Sequence, residues 1–419
     1  MNIFKLSVRG LSRNLRRSLV TFLAIAFGFA AVALFAGYTH NIYDGLSRQA
    51  IHAELLGHLT ISKRGMRTEG KLDPERFLFS RADIQKISEL LANEEHIKWV
   101  SPRLAISGML SNGQASTIFI AEGITADAMV KLQENMFTKA EIKSGLGDVF
   151  LKKLDAAHPE QVLVSQGLAD MLRLQPGDIA PVLTSTLTGQ ANALDIKVSG
   201  TFTTGNSGTN DKFIFMPLAL AQSLYDVDGG ADRMTLLLDS PEQTDIVREQ
   251  LQSKLAMAGF DVEILTWKEL SDFYNQVRDM FDMIFGFIFL IVLTVVIMSV
   301  ANSMGMTVVE RTREIGTLRA IGLKRSGVVR LFTMESLVLS LIGISVGLMI
   351  TLAVSYAINS AYISYVPPGN ASAVLLHVNF DRERVMAAAF MMLFVGSLAA
   401  YLPARRASRQ PITQALGHV

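Results

Sequence analysis

Residues 283–322 read MIFGFIFLIVLTVVIMSVANSMGMTVV followed by ERTREIGTLRAIG. The first 27 of these, Met283 to Val309, carry no charge. A helix rising 1.5 Å per residue needs about 20 apolar residues to cross a bilayer core of roughly 30 Å. This stretch is therefore expected to span a membrane. Glu310 then opens a short, dense run of charge, so the membrane ends there abruptly.

Three further windows meet the same test. Leu19–Tyr38 carries no charge, a window from Leu331 to about Ser360 carries only Glu335 near its start, and the last runs from Val385 to Leu402. Between Leu56 and Arg278 apolar runs are short and broken by charges, Gly and Pro, as in a folded soluble domain. Half of the 419 residues are hydrophobic and 18% are charged, which suits a chain divided between lipid and water. With no cysteine, disulfides and thiolate metal sites are excluded. The expected fold is an α-helical membrane protein with four transmembrane helices (18–38, 276–309, 331–360, 385–402) and a large α+β extracytoplasmic domain with stalk, 39–275, between helices 1 and 2. A short outer loop, 361–384, and a tail, 403–419, complete the expectation.

Basic residues orient the spans. Lys5, Arg9, Arg13, Arg16 and Arg17 precede the first. Arg311, Arg313, Arg319, Lys324, Arg325 and Arg330 lie between the second and third, and Arg405, Arg406 and Arg409 follow the fourth. Against them stand only Glu310 and Glu314. The positive-inside rule puts these segments, and both termini, in the cytoplasm. The N-terminal segment adds an apolar stripe, Phe4, Val8, Leu11 and Leu15, opposite Arg9, Arg13 and Arg16. That pattern predicts an amphipathic helix (1–17) lying on anionic lipid.

In the soluble stretch, helical spacing is expected at 82–93, 126–135, 166–174 and 244–258. Strands are expected at 58–62, 116–121, 161–164, 195–198, 212–215 and 233–238. Catalytic signatures are missing: no G-x-S-x-G, H-E-x-x-H or Walker A pattern occurs. His52 and His58 are six residues apart, on opposite faces of a helix, so the sequence does not favour a metal pair. From Trp267 to Asp282 apolar residues recur at helical spacing and run into the second span, which predicts one uninterrupted helix that can carry motion.

The link between spans two and three is the densest signal. Ile315, Leu318 and Ile321 form an apolar edge, Glu310–Arg313 and Arg311–Glu314 are spaced as i,i+3 pairs, and Gly322 suits a helix C-terminus. A short amphipathic helix here can dock into a groove on a cytoplasmic partner. Candidate coupling residues are Glu310, Arg311, Arg313, Glu314, Ile315, Gly316, Leu318, Arg319, Ile321 and Gly322. Glu335, Gly343 and Gly347 in the third span are candidate packing residues, Glu335 pairing with Arg330 or a neighbouring helix end and the glycines forming G-x-x-x-G. The outer halves of the spans hold almost no polar groups, so no hydrophilic substrate is expected to cross the bilayer through this protein.

The run Glu310–Gly322, with Glu335-Ser336, Gly343 and Gly347, resembles the permease signature of the MacB/LolCDE/FtsX superfamily of ABC transporter permeases. The tail Pro403-Ala404-Arg405-Arg406-Ala407-Ser408, Pro411 and Ala415-Leu416 resembles its C-terminal motif, and Val162–Val182 with Pro176-Gly177-Asp178 resembles its periplasmic core. The resemblance implies a separately encoded, lipoprotein-release-like permease in a bacterial inner membrane, not itself an enzyme. It implies pairing with a second permease subunit (homodimer or related heterodimer) and with cytoplasmic ABC ATPase subunits, which would bind ATP and Mg; no cofactor is expected in this chain. It further implies mechanotransmission, with ATP hydrolysis driving extracytoplasmic work on a lipoprotein, lipid-linked or peptide substrate. The alternative is a non-transporting transmitter that activates a periplasmic hydrolase or sensor. Membrane lipid and a periplasmic adaptor or carrier are further expected partners, nucleic acid is not, and a membrane-anchored enzyme is disfavoured.

Overall fold

The computed structural model describes residues 15–70, 72–92, 94–134, 136, 138, 141–142, 154–367, 369–371 and 373–416. The expected amphipathic helix at 1–17 lies, up to residue 14, outside the described residues. The chain forms two compact units: 1–43 with 277–363 and 376–419, and 44–276 with 364–375. The segment Ser364–Leu375, expected as part of a free outer loop, belongs to the second unit.

In chain order the elements are α1 (Leu15–Arg48), β1 (Leu59–Lys63), α2 (Pro74–Phe77), α3 (Arg81–Leu91), β2 (Ile97–Ser111), β3 (Ser116–Ile124), α4 (Ala126–Gln133) and β4 (Gln161–Ser165). Then come α5 (Gln166–Leu172), β5 (Ile179–Ser185), β6 (Ala191–Phe202), β7 (Phe213–Pro217), α6 (Leu218–Tyr225), β8 (Arg233–Leu238), α7 (Thr244–Met257) and β9 (Val262–Thr266). The last are α8 (Trp267–Leu270), α9 (Asp272–Glu310), α10 (Thr312–Ala320), α11 (Arg325–Ser360), β10 (Ser364–Tyr365), β11 (Val374–Leu375), α12 (Arg382–Arg409) and α13 (Ile412–Leu416).

The soluble unit is built on one long strand. β2 pairs with β8 through its first half and with β3 and β5 through its second. The first half belongs to the antiparallel sheet β2-β8-β1-β9. With α3 between β1 and β2, and α7 between β8 and β9, this is a split β-α-β-β-α-β arrangement. Its core joins Leu59, Ile61 and Leu236 to Ile87 and Leu91 of α3 and Val247, Leu251 and Leu255 of α7. The second half of β2 joins the series β3-β7-β4-β6-β5, and because β2 also pairs with β3 these six strands close into a ring. Inside lie Leu104, Ile106, Phe119, Val162, Val182, Ile196 and Ile214, with Leu168 of α5 and Leu224 of α6. The ring is thus inserted between the second and third strands of the four-stranded sheet.

Among the described residues, four helices are long and apolar enough to cross a membrane, within Ser18–Ala53, Asp272–Glu310, Arg325–Ser360 and Arg382–Arg409. α1 continues past Tyr38 to Arg48 and passes into a π-helical turn, Gln49–Ala53. α9 has 39 residues, about 58 Å at 1.5 Å each, well beyond a bilayer core. The expected single helix from Trp267 is, however, broken at Ser271, which leaves helical geometry at φ −92°, ψ 89°. Thr266 and Glu269 cap the short α8 reciprocally, while the Ser271 hydroxyl accepts from Tyr274 N–H (3.3 Å) and restarts the helix at Asp272.

Within the membrane unit, α11 approaches α1 through its small residues. A Cβ on Gly343 would lie 2.8 Å from the Ile25 side chain, and one on Gly347 would lie 2.6 Å from the Ala26 carbonyl oxygen. Both glycines of the G-x-x-x-G pair thus lie close against α1 of the same chain. On its other side α11 meets α12, where the Ser336 hydroxyl donates to Gly396 O (3.0 Å). Toward the start of α9, Tyr43 donates to Asp282 Oδ1 (2.8 Å). Arg384 lies over the Tyr43 ring at 5.3 Å and donates to Thr39 Oγ1 (3.1 Å).

Candidate functional site

The link helix α10 begins where α9 stops. Arg311 leaves helical geometry (φ −103°, ψ 16°) although its N–H still donates to Thr307 O (3.1 Å), so the chain bends and restarts at Thr312. At the other end Gly322 stands at φ +108°, a conformation that disfavours side chains. Leu323 N–H donates to Leu318 O (3.0 Å) and Gly322 N–H to Arg319 O (3.1 Å), which together form a Schellman cap. The sequence motif thus yields a helix of nine residues with both ends fixed.

Its apolar edge does not face outward as a whole. Ile315 is 5% exposed and belongs to the membrane-unit core with Val308, Val328, Phe332, Ala404 and Ala407. Thr312 and Gly316 are buried beside it, and Leu318 is half-buried. Of the expected edge only Ile321 is open, at 80% exposure. The reason is the tail: α10 packs against α12 and α13, and Arg319 donates to the Gln410 carbonyl. The sequence located the helix and the tail but not their contact. The available signal was the small-residue series Ala404, Ala407, Ala415, which lets a second backbone come close.

Arg311 also points inward. Its guanidinium lies 3.4 Å from the carboxylate of Glu335 on α11, which is 3% exposed. Of the two partners expected for Glu335, Arg330 is exposed and the end of a neighbouring helix, at Arg311, makes the pair, which joins the bend before α10 to the third membrane helix. The face left open on α10 and its flanks is Glu310, Arg313, Glu314, Thr317, Ala320, Ile321 and Gly322, a mixed-charge surface edged by one aliphatic side chain.

The soluble unit holds a second cluster, which sequence reading did not find. Arg103 (1% exposed) on β2 lies 2.9 Å from Glu122 on β3 and donates to the Leu55 carbonyl. Glu122 also pairs with Arg233 on β8, whose other nitrogen reaches Asp232 at 2.7 Å. Asp232 accepts in turn from Ala105 N–H (3.1 Å). Burial pushes Glu122 up, but the two guanidiniums outweigh it and hold the carboxyl below its ordinary range. At Asp232 burial wins, aided by Glu122 and opposed by Arg233, so that carboxyl is raised. The four charges sum to zero and lie where the ring meets the four-stranded sheet. Two of the strands face each other directly there, Arg103 opposite Arg233.

His52 and His58 are not on opposite faces of one helix. The helix ends between them, and the rings come within 6.5 Å, edge to face. Each is held by backbone: His52 Nδ1 meets Leu132 O, and His58 Nδ1 accepts from Leu238 N–H (3.0 Å). Burial, with the neighbouring His52, pushes the His58 imidazole down to about 4. Among the described residues no group of three or more His, Cys, Asp or Glu is placed to hold a metal ion.

Comparison with known proteins bears on both units. The family described as MacB-like periplasmic core domain matches residues 18–254, more than half of the chain, and that described as FtsX-like permease C-terminal matches 286–412. ABC transporter permease YtrF of Bacillus subtilis is 24% identical over 379 residues, covering 84% of this chain and 83% of the relative. Macrolide export ATP-binding/permease protein MacB of Agrobacterium fabrum is 23% identical over 409 residues, covering 96% of this chain but 58% of the relative. The periplasmic region of MacB from Actinobacillus actinomycetemcomitans aligns with 51% of this chain and 90% of its own, at 12% identity and TM-score 0.33. The extracellular domain of the transporter YknZ from Gram-positive bacteria aligns with 50% of this chain and all of its own, at 14% identity and TM-score 0.32.

Proposed function

This chain belongs to the ABC transporter permeases that carry a MacB-like periplasmic core and an FtsX-like permease C-terminal domain, and from that premise we propose that it couples a separate cytoplasmic ATPase to work outside the membrane. The ATPase docks on the open face of α10. One observation carries this reading: a short helix between two membrane helices has both ends fixed, is tied inward by Arg311–Glu335 and Arg319–Gln410, and leaves Glu310, Arg313, Glu314 and Ile321 outward. A surface held this rigidly passes a push from a partner into α9 and α11 instead of absorbing it.

No hydrophilic path through the bundle is part of the reading. Three buried hydroxyls in the spans serve helix backbones: Thr307 donates to Ser303 O (2.8 Å), Thr351 to Gly347 O (2.9 Å) and Ser336 to Gly396 O, while the buried Ser340 hydroxyl has no hydrogen-bond partner among the described residues. Cargo is therefore engaged on the outer side, and a lipoprotein, a lipid-linked molecule or a peptide fits. The macrolide exporter among the relatives makes macrolides a fourth class. The exposed apolar side chains of α9, Met283, Phe287, Leu290 and Ile291, are shared between lipid and a second permease subunit. ATP and Mg are bound by the ATPase.

The test is charge reversal on the open face. Arg313→Glu leaves the core contacts in place and is expected to lower recovery of the ATPase with the tagged chain by about tenfold, as truncation of a central interface side chain does. Recovery and ATP turnover equal to wild type would sink the docking assignment.

A further inference from the structure

We infer that the C-terminal segment Gln410–Leu416 is the second half of the ATPase-docking surface, and that Arg319 is the positioning residue that clamps it there. This rests on the reading of α10 as the docking helix. The sequence presents the link and the tail as separate motifs ninety residues apart. In the fold they are one body. Thr312, Ile315 and Gly316 on the inner side of α10 are buried, as are Ala404, Ala407, Ser408 and Ala415 on the other side of the contact. α13 packs along α10, and the guanidinium of Arg319 donates to the Gln410 carbonyl at the point where α12 has ended and the chain turns.

Two consequences follow for the partner. First, any protein that covers Arg313, Thr317 and Ile321 meets the neighbouring helix as well. A stable interface buries about 800 Å² on each side, far more than the open face of nine residues offers. Second, the exposed side chains of the tail, Gln410, Thr413 and Gln414, are uncharged, while the exposed charges of α10 and of the end of α12 include Arg313, Arg405, Arg406 and Arg409. The composite platform is net basic with a neutral hydrogen-bonding corner. The ATPase face that fits it carries carboxylates opposite the arginines and amide or hydroxyl groups opposite α13. Arg319 faces Gln410 and acts through the tail, so its own contact with the ATPase is not required.

The experiment uses the full-length tagged chain expressed in its own cells. Membranes are solubilised, the co-purifying polypeptide with an ABC ATP-binding domain is identified by mass spectrometry, and its recovery and ATP turnover are measured. Thr413→Glu with Gln414→Glu changes only exposed side chains and places two charges against the uncharged amide or hydroxyl groups of the partner. Recovery is expected to fall about tenfold. Arg319→Ala frees the tail and is expected to cost a similar factor, while Arg319→Lys, which still donates to a carbonyl, returns recovery to within about twofold of wild type. Wild-type recovery in the double variant overturns the inference even if Arg313→Glu abolishes binding. A loss in Arg319→Ala that Arg319→Lys does not rescue overturns the clamp. Loss of binding only when anionic lipid is present, with wild-type recovery in neutral detergent, assigns the platform to the membrane surface and overturns it too. If the wild-type chain recovers no ATP-binding polypeptide, the docking reading of α10 fails, and this inference with it.

Discussion

The two units bury charge in different ways. In the soluble unit Arg103, Glu122, Arg233 and Asp232 form a neutral group in which each side chain has at least one charged neighbour and the backbone takes part through Leu55 and Ala105. In the membrane unit one carboxylate, Glu335, meets one guanidinium, Arg311. Four charges hold a strand junction, two hold a bend. The network keeps some pairing when one member is lost, whereas loss of Arg311 takes from Glu335 the guanidinium that meets it. What a lost charge costs then depends on which member goes.

The sharpest way to break the contrast is Glu122→Leu. It removes the anion between two buried guanidiniums and leaves them to repel each other. The expected loss is about 4 kcal/mol from the soluble unit. The two tryptophans of the chain, Trp99 and Trp267, both lie in that unit, so denaturant unfolding in detergent read by tryptophan fluorescence reports it alone. An unchanged midpoint would mean the network contributes no stability there. Arg311→Ala is expected to cost less, about 2 kcal/mol, because a polar group in lipid finds other partners in the unfolded reference state. The readout is helix loss by circular dichroism at unchanged tryptophan fluorescence; loss of both signals together would contradict the separation.

His58 sharpens the comparison by pH. Its imidazole is held neutral, with a folded value of about 4 against an ordinary value near 6.5. The unfolded chain therefore binds the proton first. This stabilisation is complete above about pH 6.5 and is lost as pH falls toward 4, by roughly 3 kcal/mol. His58→Gln keeps an acceptor for Leu238 N–H and should flatten the unfolding midpoint over that window. The same slope in the variant would assign the pH dependence to other groups. The smallest effects are expected in helix packing. Gly347→Leu meets the Ala26 carbonyl oxygen and should cost about 2 kcal/mol, and Gly343→Leu, which meets the Ile25 side chain first and backbone only at 3.4 Å, about 1 kcal/mol. Thermal stability of the purified chain in detergent checks the order, and equal or reversed losses would refute it.

The membrane helices were legible because lipid imposes a single demand, length without charge, that any window of sequence reveals. α10 and its cap were legible for a local reason: Arg311 to Gly322 contains its own start and stop. Which side of α10 is open was not, since Ile315 is covered by Ala404 and Ala407 from the far end of the chain. Besides the two-residue β10 and β11, three strands also escaped. β2 serves two sheets, so its burial follows no period of two and Pro102 interrupts it. β5 alternates perfectly in burial, but its exposed side is Ile179, Pro181, Leu183 and Ser185 while Ala180, Val182 and Thr184 point inward, so both sides are largely apolar and the sequence shows no alternation of polarity. β9 is five residues beside a helix signal at Trp267, and the helix spacing overshadowed it. The charge cluster was invisible for the same reason as the tail contact: Arg103, Glu122 and Arg233 look like ordinary surface residues until three strands bring them together.

The shared strand β2 also sets the order in which the soluble unit can be made. Every strand of the closed ring lies between Ile97 and Pro217, so the ring has all its partners before the ribosome reaches β8. β1 has a different history. It pairs only with β8 and β9, and so it waits with both edges bare while everything from Arg64 to Asp232 is synthesised. At 5–20 residues per second that interval is on the order of ten seconds or more. A bare strand of five residues, LTISK, is a template for wrong pairing, and the charge of Lys63 at its end is the kind of residue that discourages it. The birth of this protein is therefore a matter of timing: an early barrel, and an orphan strand that must be kept from strangers until its neighbours arrive.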